Sequence, residues 1–289
     1  MAKLKSGAIK LEDMQEYLDS SSDFAFEMKV LKLLNDRGLE TTFGGLYQDP
    51  NTNQTRQFDI RSKIILDSNK TKHSLLLAIE CKNLRDNFPL LISGSKRKKH
   101  ESVIDTWCFM EMTRTETNGN ASSYKSLGYF VDSRTLHPSR FYMPECFVGR
   151  SCVQVGKGEK NNIEVSDSEI YNKWTQALCS LYGLMQNTVA DMEMQVEQQG
   201  YASGSFAFVP IVIVPDDMIW IVEYSDSGEL IVPPKQVAEC SYWVSKQYSF
   251  VRAVKSCQYT VSHIEFMTFT GLKDFLDSPS RHWRILGTY

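Results

Sequence analysis

The chain has 289 residues, of which 42% are hydrophobic and 23% are charged, and its formal net charge is −3. This length allows one large domain or two small ones, and the composition is typical of a soluble globular protein. A net negative charge argues against a protein that coats nucleic acid over its whole surface. It does not exclude an enzyme with a local basic surface.

Secreted and membrane proteins are also disfavoured by the sequence. Residues 1–16 contain no apolar core of a signal peptide, and the longest apolar runs, 206–215 and 218–222, are too short to cross a bilayer. The seven cysteines have neither paired CxxC spacing nor zinc-finger spacing, which indicates reduced thiols. We therefore expect a cytoplasmic protein that does not enter a membrane.

The first 82 residues predict two helices followed by three strands. Apolar residues at helical spacing predict a short helix over 11–18. A second helix is expected to begin near Asp23, after the N-capping serines before it, and to end before Gly38. Strands are predicted over 41–48, 58–66 and 74–82. The run Leu75–Ile79 in the third strand indicates burial on both faces of a sheet.

The rest of the chain is expected to complete a single domain over 1–289. The stretch 84–165 mixes polar and aromatic segments, so we interpret it as an insertion after the third strand. An apolar stripe between Ile170 and Val189 predicts a long helix. Strands are predicted over 207–214, 218–224, 231–232 and 263–269, and a last helix near 272–276. This order predicts a mixed α/β (α+β) fold in which helices flank a central mixed sheet.

Four charged residues are expected on one face of the hairpin made by the second and third strands. If its loop is symmetric, Asp59 lies opposite Lys82 and Arg61 lies opposite Glu80. Side chains two residues apart share a face, so Asp59 and Glu80 become diagonal neighbours, roughly 5–8 Å apart at Cβ. Two carboxylates at this separation can bind one hard divalent cation. A register slip of an even number of residues keeps the same face.

A glutamate on the second helix is a further candidate ligand. Glu27 falls inside the apolar arc of that helix, where a charged residue is unusual. It could reach the same cation directly or through a water. The alternative is a helix-edge glutamate that pairs with Lys29 or Arg61.

The arrangement of these residues resembles a known family. The sequence contains Phe58-Asp59 and then Ile79-Glu80-Cys81-Lys82, in which Glu80 is 21 residues after Asp59. This pattern resembles the PD-(D/E)XK phosphodiesterase superfamily, which has the restriction-endonuclease-like fold. The core of that fold is a helix, a meander of three antiparallel strands, a helix and a further strand. The predicted order resembles it over 23–82, 168–190 and 207–224, but not in the insertion or the last quarter. Phe58 stands where the motif's name has proline, a position that the superfamily varies.

The resemblance implies a cofactor and a role for each residue. Asp59, Glu80 and the main-chain carbonyl of Cys81 would hold Mg²⁺, which Mn²⁺ is expected to replace, with Glu27 as a supporting acid. Lys82 would orient or activate the attacking water.

Contacts to nucleic acid are less clearly indicated. The basic run Lys96-Arg97-Lys98-Lys99-His100 could bind phosphates, and a solvated loop is an equally good interpretation. Arg61 could hold a phosphate or neutralise Glu80. Gln176 could correspond to a glutamine that some members use, but it lies nearly opposite the apolar stripe of its helix, where a solvated side chain is the simpler interpretation. Aromatic residues of the insertion could stack on bases or fill a core: Trp107, Tyr129, Phe130, Phe141 and Tyr142.

The function predicted from these residues is a metal-dependent endonuclease that hydrolyses phosphodiester bonds, with DNA as the expected substrate and a homodimer as a possible assembly. One alternative is a catalytically inactive nucleic-acid-binding relative of the same fold. The other is a structural or interaction domain in which Asp59, Arg61, Glu80 and Lys82 form a salt-bridge cluster. The complete set of acids and lysine favours the enzyme.

Overall fold

Helices cover the two faces of one large sheet. The computed structural model describes residues 7–68, 71–116, 122–133, 141–158, 162–199, 203–252 and 255–286. In this part of the chain, no helix is both long and apolar enough to span a membrane. The helices are α1 (Leu11–Ser20), α2 (Asp23–Asp36), α3 (Ser168–Gln199), α4 (Phe269–Leu276) and α5 (Pro279–Leu286).

The described strands form a thirteen-stranded sheet and a separate two-stranded ribbon. In chain order they are β1 (Glu40–Phe43), β2 (Leu46–Gln48), β3 (Thr55–Gln57), β4 (Ile60–Ser68), β5 (Thr71–Cys81), β6 (Leu90–Lys96), β7 (Asp105–Glu116), β8 (Ser122–Ser133), β9 (Phe147–Lys157), β10 (Ile163–Ser166), β11 (Ser203–Val214), β12 (Ile219–Tyr224), β13 (Leu230–Gln236), β14 (Glu239–Arg252) and β15 (Lys255–Thr268).

The large sheet is mixed, as the sequence predicts. Its main path runs β1-β4-β5-β11-β15-β14-β9-β6-β12-β13, with β10 on β9, β7 on β11 and β8 on β7. The first three strands of the path are antiparallel, and β11 runs parallel to both β5 and β15. The chain is therefore a mixed α/β protein with helices flanking a mixed sheet.

The prediction of one strand over 41–48 was wrong. The chain leaves β1 through Gly44, whose φ of 67° is in the left-handed region that glycine adopts easily. It then enters β2, which pairs with β3 in the separate ribbon. The predicted helices at 11–18 and from Asp23 are confirmed as α1 and α2.

The register of β4 and β5 differs from the prediction by two residues. Arg61 lies opposite Ala78, not Glu80, and Ile60 lies opposite Ile79. Asp59, one residue before β4, is therefore next to Glu80 and not opposite Lys82. Because the shift is even, Asp59, Arg61 and Glu80 stay on one face of the sheet.

Alternate residues of β5 are buried on opposite faces of the sheet. Leu76 and Ala78 belong to the core that includes Leu178 and Leu181 of α3. Leu75, Leu77 and Ile79 belong to the core beneath α2, α4 and α5. This two-sided burial is the one predicted from the apolar run. Glu80 continues the row that faces α3, and this brings a carboxylate into the interior.

The stretch 84–165 contributes strands to the same sheet. Within the sheet, β6 pairs with β9. β7 pairs with β8 and also with β11. Trp107 and Tyr142 are buried, as in the core interpretation of the aromatic residues. The side chains of Tyr129 and Phe130 lie outside the described part of the chain.

The C-terminal part is a long hairpin followed by two helices. The strand predicted at 263–269 corresponds to the end of β15, and the helix near 272–276 to α4. The sequence did not reveal β14, which pairs with β15 and contains an irregularity between Trp243 and Lys246. Ser245 has a φ of 49° at this point, so the apolar alternation is broken in the middle of the strand.

Candidate metal centre

Two carboxylates meet where β4 begins and β5 ends. Oδ2 of Asp59 accepts a hydrogen bond from the backbone N–H of Cys81 at 2.8 Å. Because the N–H and C=O of one strand residue point to the same side, the carbonyl of Cys81 also faces the β4 edge. Glu80, adjacent in the ladder, is only 1% exposed. The predicted proximity of Asp59 and Glu80 is therefore present in the structure.

A lysine that the sequence analysis missed joins these carboxylates. Nζ of Lys173, on the first turns of α3, lies 2.8 Å from Oδ2 of Asp59 and 3.5 Å from Oε2 of Glu80. Its side chain is 17% exposed. On a helical wheel Lys173 borders the apolar stripe, about 40° from Ala177. This position at the edge of the stripe was the available sequence signal.

The cluster contains more acid than base, and one carboxylate oxygen is unpaired. Within the described residues, Oε1 of Glu80 is buried and has no hydrogen-bond partner. Burial, and next the charge of Asp59, raise the pKa of Glu80 well above its usual value, while Lys173 opposes the shift. Burial alone would lower the pKa of Lys173, but the attraction of Asp59 and Glu80 outweighs it and raises that pKa.

Glu27 approaches the cluster from α2, on the side predicted for it. Burial raises the pKa of Glu27 to about 7, with a further contribution from the charge of Asp59. The alternative partners do not hold it. Lys29 places its ammonium over the ring of Phe269, and the guanidinium of Arg61 binds elsewhere. Among the described residues Glu27 makes no ion pair.

Lys82 lies beside the cluster but is bound to other acids. Its Nζ is 3.1 Å from Oδ2 of Asp23 and 3.3 Å from Oε2 of Glu169, so it joins the first turns of α2 and α3. The other oxygen of Asp23 accepts from the backbone N–H of Asn83. The lysine predicted to serve the attacking water is thus fixed at the rim, and Lys173 holds the central position.

Arg61 is buried, and among the described residues it makes no direct ion pair with Glu80. Its guanidinium donates to the hydroxyl and the carbonyl of Ser180 at 3.3 and 2.8 Å and lies 4.0 Å from the centre of the Phe58 ring. Burial lowers the pKa of Arg61 to about 10. Gly183 permits this contact, because a Cβ there would stand 2.9 Å from Nη2 of Arg61. Arg61 therefore anchors α3, and with it Lys173, to β4.

The residues proposed as nucleic-acid contacts are divided between surface and interior. Lys96, Lys98 and Lys99 are exposed, and Lys96 pairs with Glu145 at 3.3 Å. Arg97 is only 3% exposed, so its assignment to an exposed basic run was wrong. Gln176 is half-buried on α3, one turn after Lys173.

Asp59 and Glu80 supply carboxylate oxygens, the ligand type that hard divalent cations prefer, but the acids do not form a complete ligand cage. Within the described residues, no three His, Cys, Asp or Glu side chains are close enough together to hold a metal ion. Asp59 and Glu80 already share one cation, the ammonium of Lys173, and the unpaired Oε1 of Glu80 is an available oxygen ligand. Oxygen donors of this kind suit Mg²⁺ or Mn²⁺, and Glu27 is near enough for the charge of Asp59 to contribute to its raised pKa.

Comparisons with models of known protein families, with curated proteins and with solved structures give no match. The chemistry of the site is therefore the basis for assigning a function.

Removal of the Lys173 ammonium should destabilise the metal-free protein. In Lys173→Met, Asp59 and Glu80 lose their shared cation, and breaking a buried ion pair in this way costs about 3–5 kcal/mol. Urea unfolding at pH 8 with EDTA measures this change. The matched control is Lys32→Met, which removes an exposed ion pair to Asp36 and should have little effect. Equal losses of stability in the two variants would contradict the central role of Lys173.

Glu27 should make the metal-free protein less stable as the pH rises. Its pKa is about 7 in the folded chain against an ordinary 4.5, so between these values the folded state binds more protons than the unfolded state. Stability then falls across this window. Glu27→Gln should be more stable than wild type by about 1–2 kcal/mol at pH 8 and by much less at pH 5. Urea unfolding in EDTA tests this, and a difference independent of pH would contradict it.

Proposed function

We propose that the chain is a metal-dependent endonuclease of the PD-(D/E)XK kind. The observation that carries the proposal is the pair formed by buried Glu80, near the end of β5, and half-buried Asp59, just before β4, with Oε1 of Glu80 unpaired among the described residues. Leaving a buried carboxylate oxygen without a partner is costly. A bound cation with oxygen ligands would remove that cost, and binding sites commonly retain such local strain.

The topology around the acids supports a restriction-endonuclease-like core. α2 precedes β1, β4 and β5, which form an antiparallel meander, and α3 and then β11 follow. β11 lies beside β5 and parallel to it. This is the arrangement expected of that core, with the β2-β3 ribbon and the stretch 84–165 as additions to it.

Each residue of the cluster has a distinct role in this proposal. Asp59, Glu80 and the carbonyl of Cys81 would hold Mg²⁺, with Glu27 in support. When bound, the metal ion supplies charge neutralisation at phosphorus and acidifies a water. Glu27, whose pKa is about 7, is suited to accept a proton on its carboxylate near neutral pH.

The two lysines would supply positive charge in different places. Lys173 contacts both carboxylates. In the complex its ammonium would lie close to a phosphate oxygen, where a cation stabilises the negative charge that develops during hydrolysis. Lys82 is held at the rim by Asp23 and Glu169 and would orient the attacking water from there. A lysine in each place separates charge stabilisation from water positioning.

DNA is the proposed substrate, and the exposed lysines at the end of β6 are its proposed outer contact. β6 is five strands from β5 along the sheet, which corresponds to roughly 24 Å at the usual strand spacing. A duplex advances about 3.4 Å per base pair, so these lysines would contact phosphates some seven base pairs from the cut. Cleavage of both strands would involve two copies of the chain or two encounters.

A structural ion-pair cluster is the second candidate, because Lys173 already pairs with both acids. In that case the ammonium would be the permanent counter-ion of Asp59 and Glu80, and no divalent ion would enter. The pairing at 2.8 and 3.5 Å supports this interpretation, whereas the unpaired Oε1 of Glu80 favours the enzyme.

Cleavage of supercoiled plasmid and of single-stranded DNA with Mg²⁺ or Mn²⁺ tests the nuclease. We expect metal-dependent cleavage that Asp59→Asn, Glu80→Gln and Lys82→Ala each reduce by at least about 100-fold, as for loss of a group that stabilises a transition state. Lys246→Ala, an exposed lysine on β14, is the control and should cleave like wild type.

Mn²⁺ binding by calorimetry separates the outcomes. Cleavage that persists in Asp59→Asn would identify a contaminant and reject the site. Binding without cleavage, abolished in Asp59→Asn, would mean a metal site with another substrate. Absence of Mn²⁺ binding in wild type would establish the closed ion-pair cluster instead.

The salt dependence of DNA affinity tests the proposed contact through the exposed lysines at the end of β6. Replacing Lys96, Lys98 and Lys99 with alanine should reduce the slope of log K against log salt by about 0.9 for each phosphate that is no longer bound. The same number of charges removed at Lys32, Lys246 and Lys273, exposed elsewhere, should leave the slope closer to wild type. Equal slopes for the two triple variants would reject this contact surface.

A further inference from the structure

A second polar site lies on the other face of the sheet. A cavity of about 320 Å³ is lined by residues of β14, β15, α5 and the chain before β9. Glu265 of β15 is level with Ile211 of β11, which is level with Ile79 of β5. Ile79 points away from the side that carries Glu80, and Glu265 shares its direction. This cavity is therefore separate from the candidate metal centre and is two strands away from it.

The inner end of the cavity holds a buried carboxylate that lacks a full set of partners. Glu265 is 3% exposed. Its Oε2 accepts from the hydroxyl of Ser241 at 3.0 Å, and the hydroxyl of Tyr142 hydrogen-bonds to the same carboxylate. Oε1 is buried without a hydrogen-bond partner among the described residues. Since an ionised carboxylate only accepts hydrogen bonds, N–H donors are the groups that would satisfy it.

A hydrogen-bonded network lies beside this end of the cavity. Nε of Arg97 donates to Nε2 of His263 at 3.2 Å, so the imidazole carries its proton on Nδ1 and donates it to Ser262. Ser262 in turn donates to the carbonyl of Val103. Burial and the charge of Arg97 lower the pKa of His263, which keeps the ring neutral. This ring stacks on the ring of Tyr142 with centroids 3.8 Å apart. The stacking positions Tyr142, which hydrogen-bonds to Glu265.

The outer part of the cavity combines positive charge with aromatic surface. Arg281 and Arg284 lie on one side of α5, three residues apart. Arg281 pairs with Glu239 at 2.8 Å, and Arg284 is exposed. Phe141 and Phe147 are half-buried in the lining. The cavity thus offers a hydrogen-bond acceptor inside, flat apolar side chains between, and guanidinium groups at its mouth.

We propose that this cavity binds a guanine mononucleotide, with the base on Glu265 and the phosphate on Arg284. Guanine has two adjacent donors, N1–H and the 2-amino group, and these match a carboxylate. Adenine and cytosine present an acceptor beside their amino group, and uracil presents its single N–H between two carbonyls. Guanidinium groups bind phosphate well. The volume lies at the low end of small-molecule sites, which span about 300–1,000 Å³. The proposal is independent of the nuclease activity.

Calorimetry with the full chain and a set of related nucleotides tests this site. GMP should bind, and IMP, which lacks the 2-amino group, should bind about tenfold more weakly. AMP should bind at least as weakly as IMP, and guanosine should lose the contribution of the phosphate. Equal affinity for GMP and AMP, or no binding of GMP up to about 1 mM, would overturn the proposal.

Two variants assign the binding roles of the arginine and the glutamate. Arg284→Ala, at an exposed position, should weaken GMP binding and leave guanosine binding unchanged, while the exposed control Arg85→Ala should alter neither. Glu265→Gln should remove the preference for GMP over IMP, provided that thermal unfolding shows a folded protein. Full GMP affinity in Arg284→Ala would overturn the site even if Glu265→Gln does not fold.

Two further measurements place the site in context. Asp59→Asn should bind GMP as wild type does, because the metal centre lies on the opposite face; weaker binding would contradict a separate cavity. An oligothymidylate with one central guanosine identifies the source of the base. If it displaces GMP while plain oligothymidylate does not, the base comes from a strand, and otherwise the ligand is the free nucleotide.

Discussion

The ammonium of Lys173 between the half-buried carboxylate of Asp59 and the buried carboxylate of Glu80 is the interaction on which the candidate centre depends. Asp59 and Glu80 are brought together by the ladder of β4 and β5, where their like charges repel. A cation 2.8 and 3.5 Å away relieves that repulsion, and it arrives on α3. The position of α3 is fixed in turn by Arg61 and Ser180. Arg61, which the sequence suggested as a phosphate contact or a counter-charge for Glu80, is thus a positioning residue for Lys173.

Both polar sites contain a buried glutamate near the end of a strand. Glu80 ends the buried run of β5 on the face toward α3, and Glu265 lies near the end of β15 on the other face. Each keeps one carboxylate oxygen unpaired among the described residues. The strands that carry them flank β11, whose side chains between the sites are apolar and buried on both faces. The apolar strand β11 therefore separates the acidic site on β5 from the acidic site on β15.

Local patterns in the sequence predicted the acid pair, but not its counter-ion. Asp59 and Glu80 share a face because side chains alternate along strands, and this survives an even error in register. Lys173 is 93 residues from Glu80, and only the packing of α3 on the sheet brings them together. Arg97 lies among exposed lysines in the sequence, but in the fold it is buried and hydrogen-bonds to His263 of a distant strand. β14 was missed because the irregularity near Ser245 interrupts its alternation.

The long separation along the chain also has a consequence for how the molecule folds. The centre joins Asp59 to Lys173 across 114 residues and Glu80 to Lys173 across 93, with β6 to β10 made in between. Contacts of such high sequence separation require closure of a long loop and tend to form slowly. The β4-β5 hairpin can form early from local contacts, with its two carboxylates still hydrated. Desolvation of the acids and arrival of their counter-ion then coincide with the docking of α3, so a nascent chain without α3 carries an open, solvated acid pair.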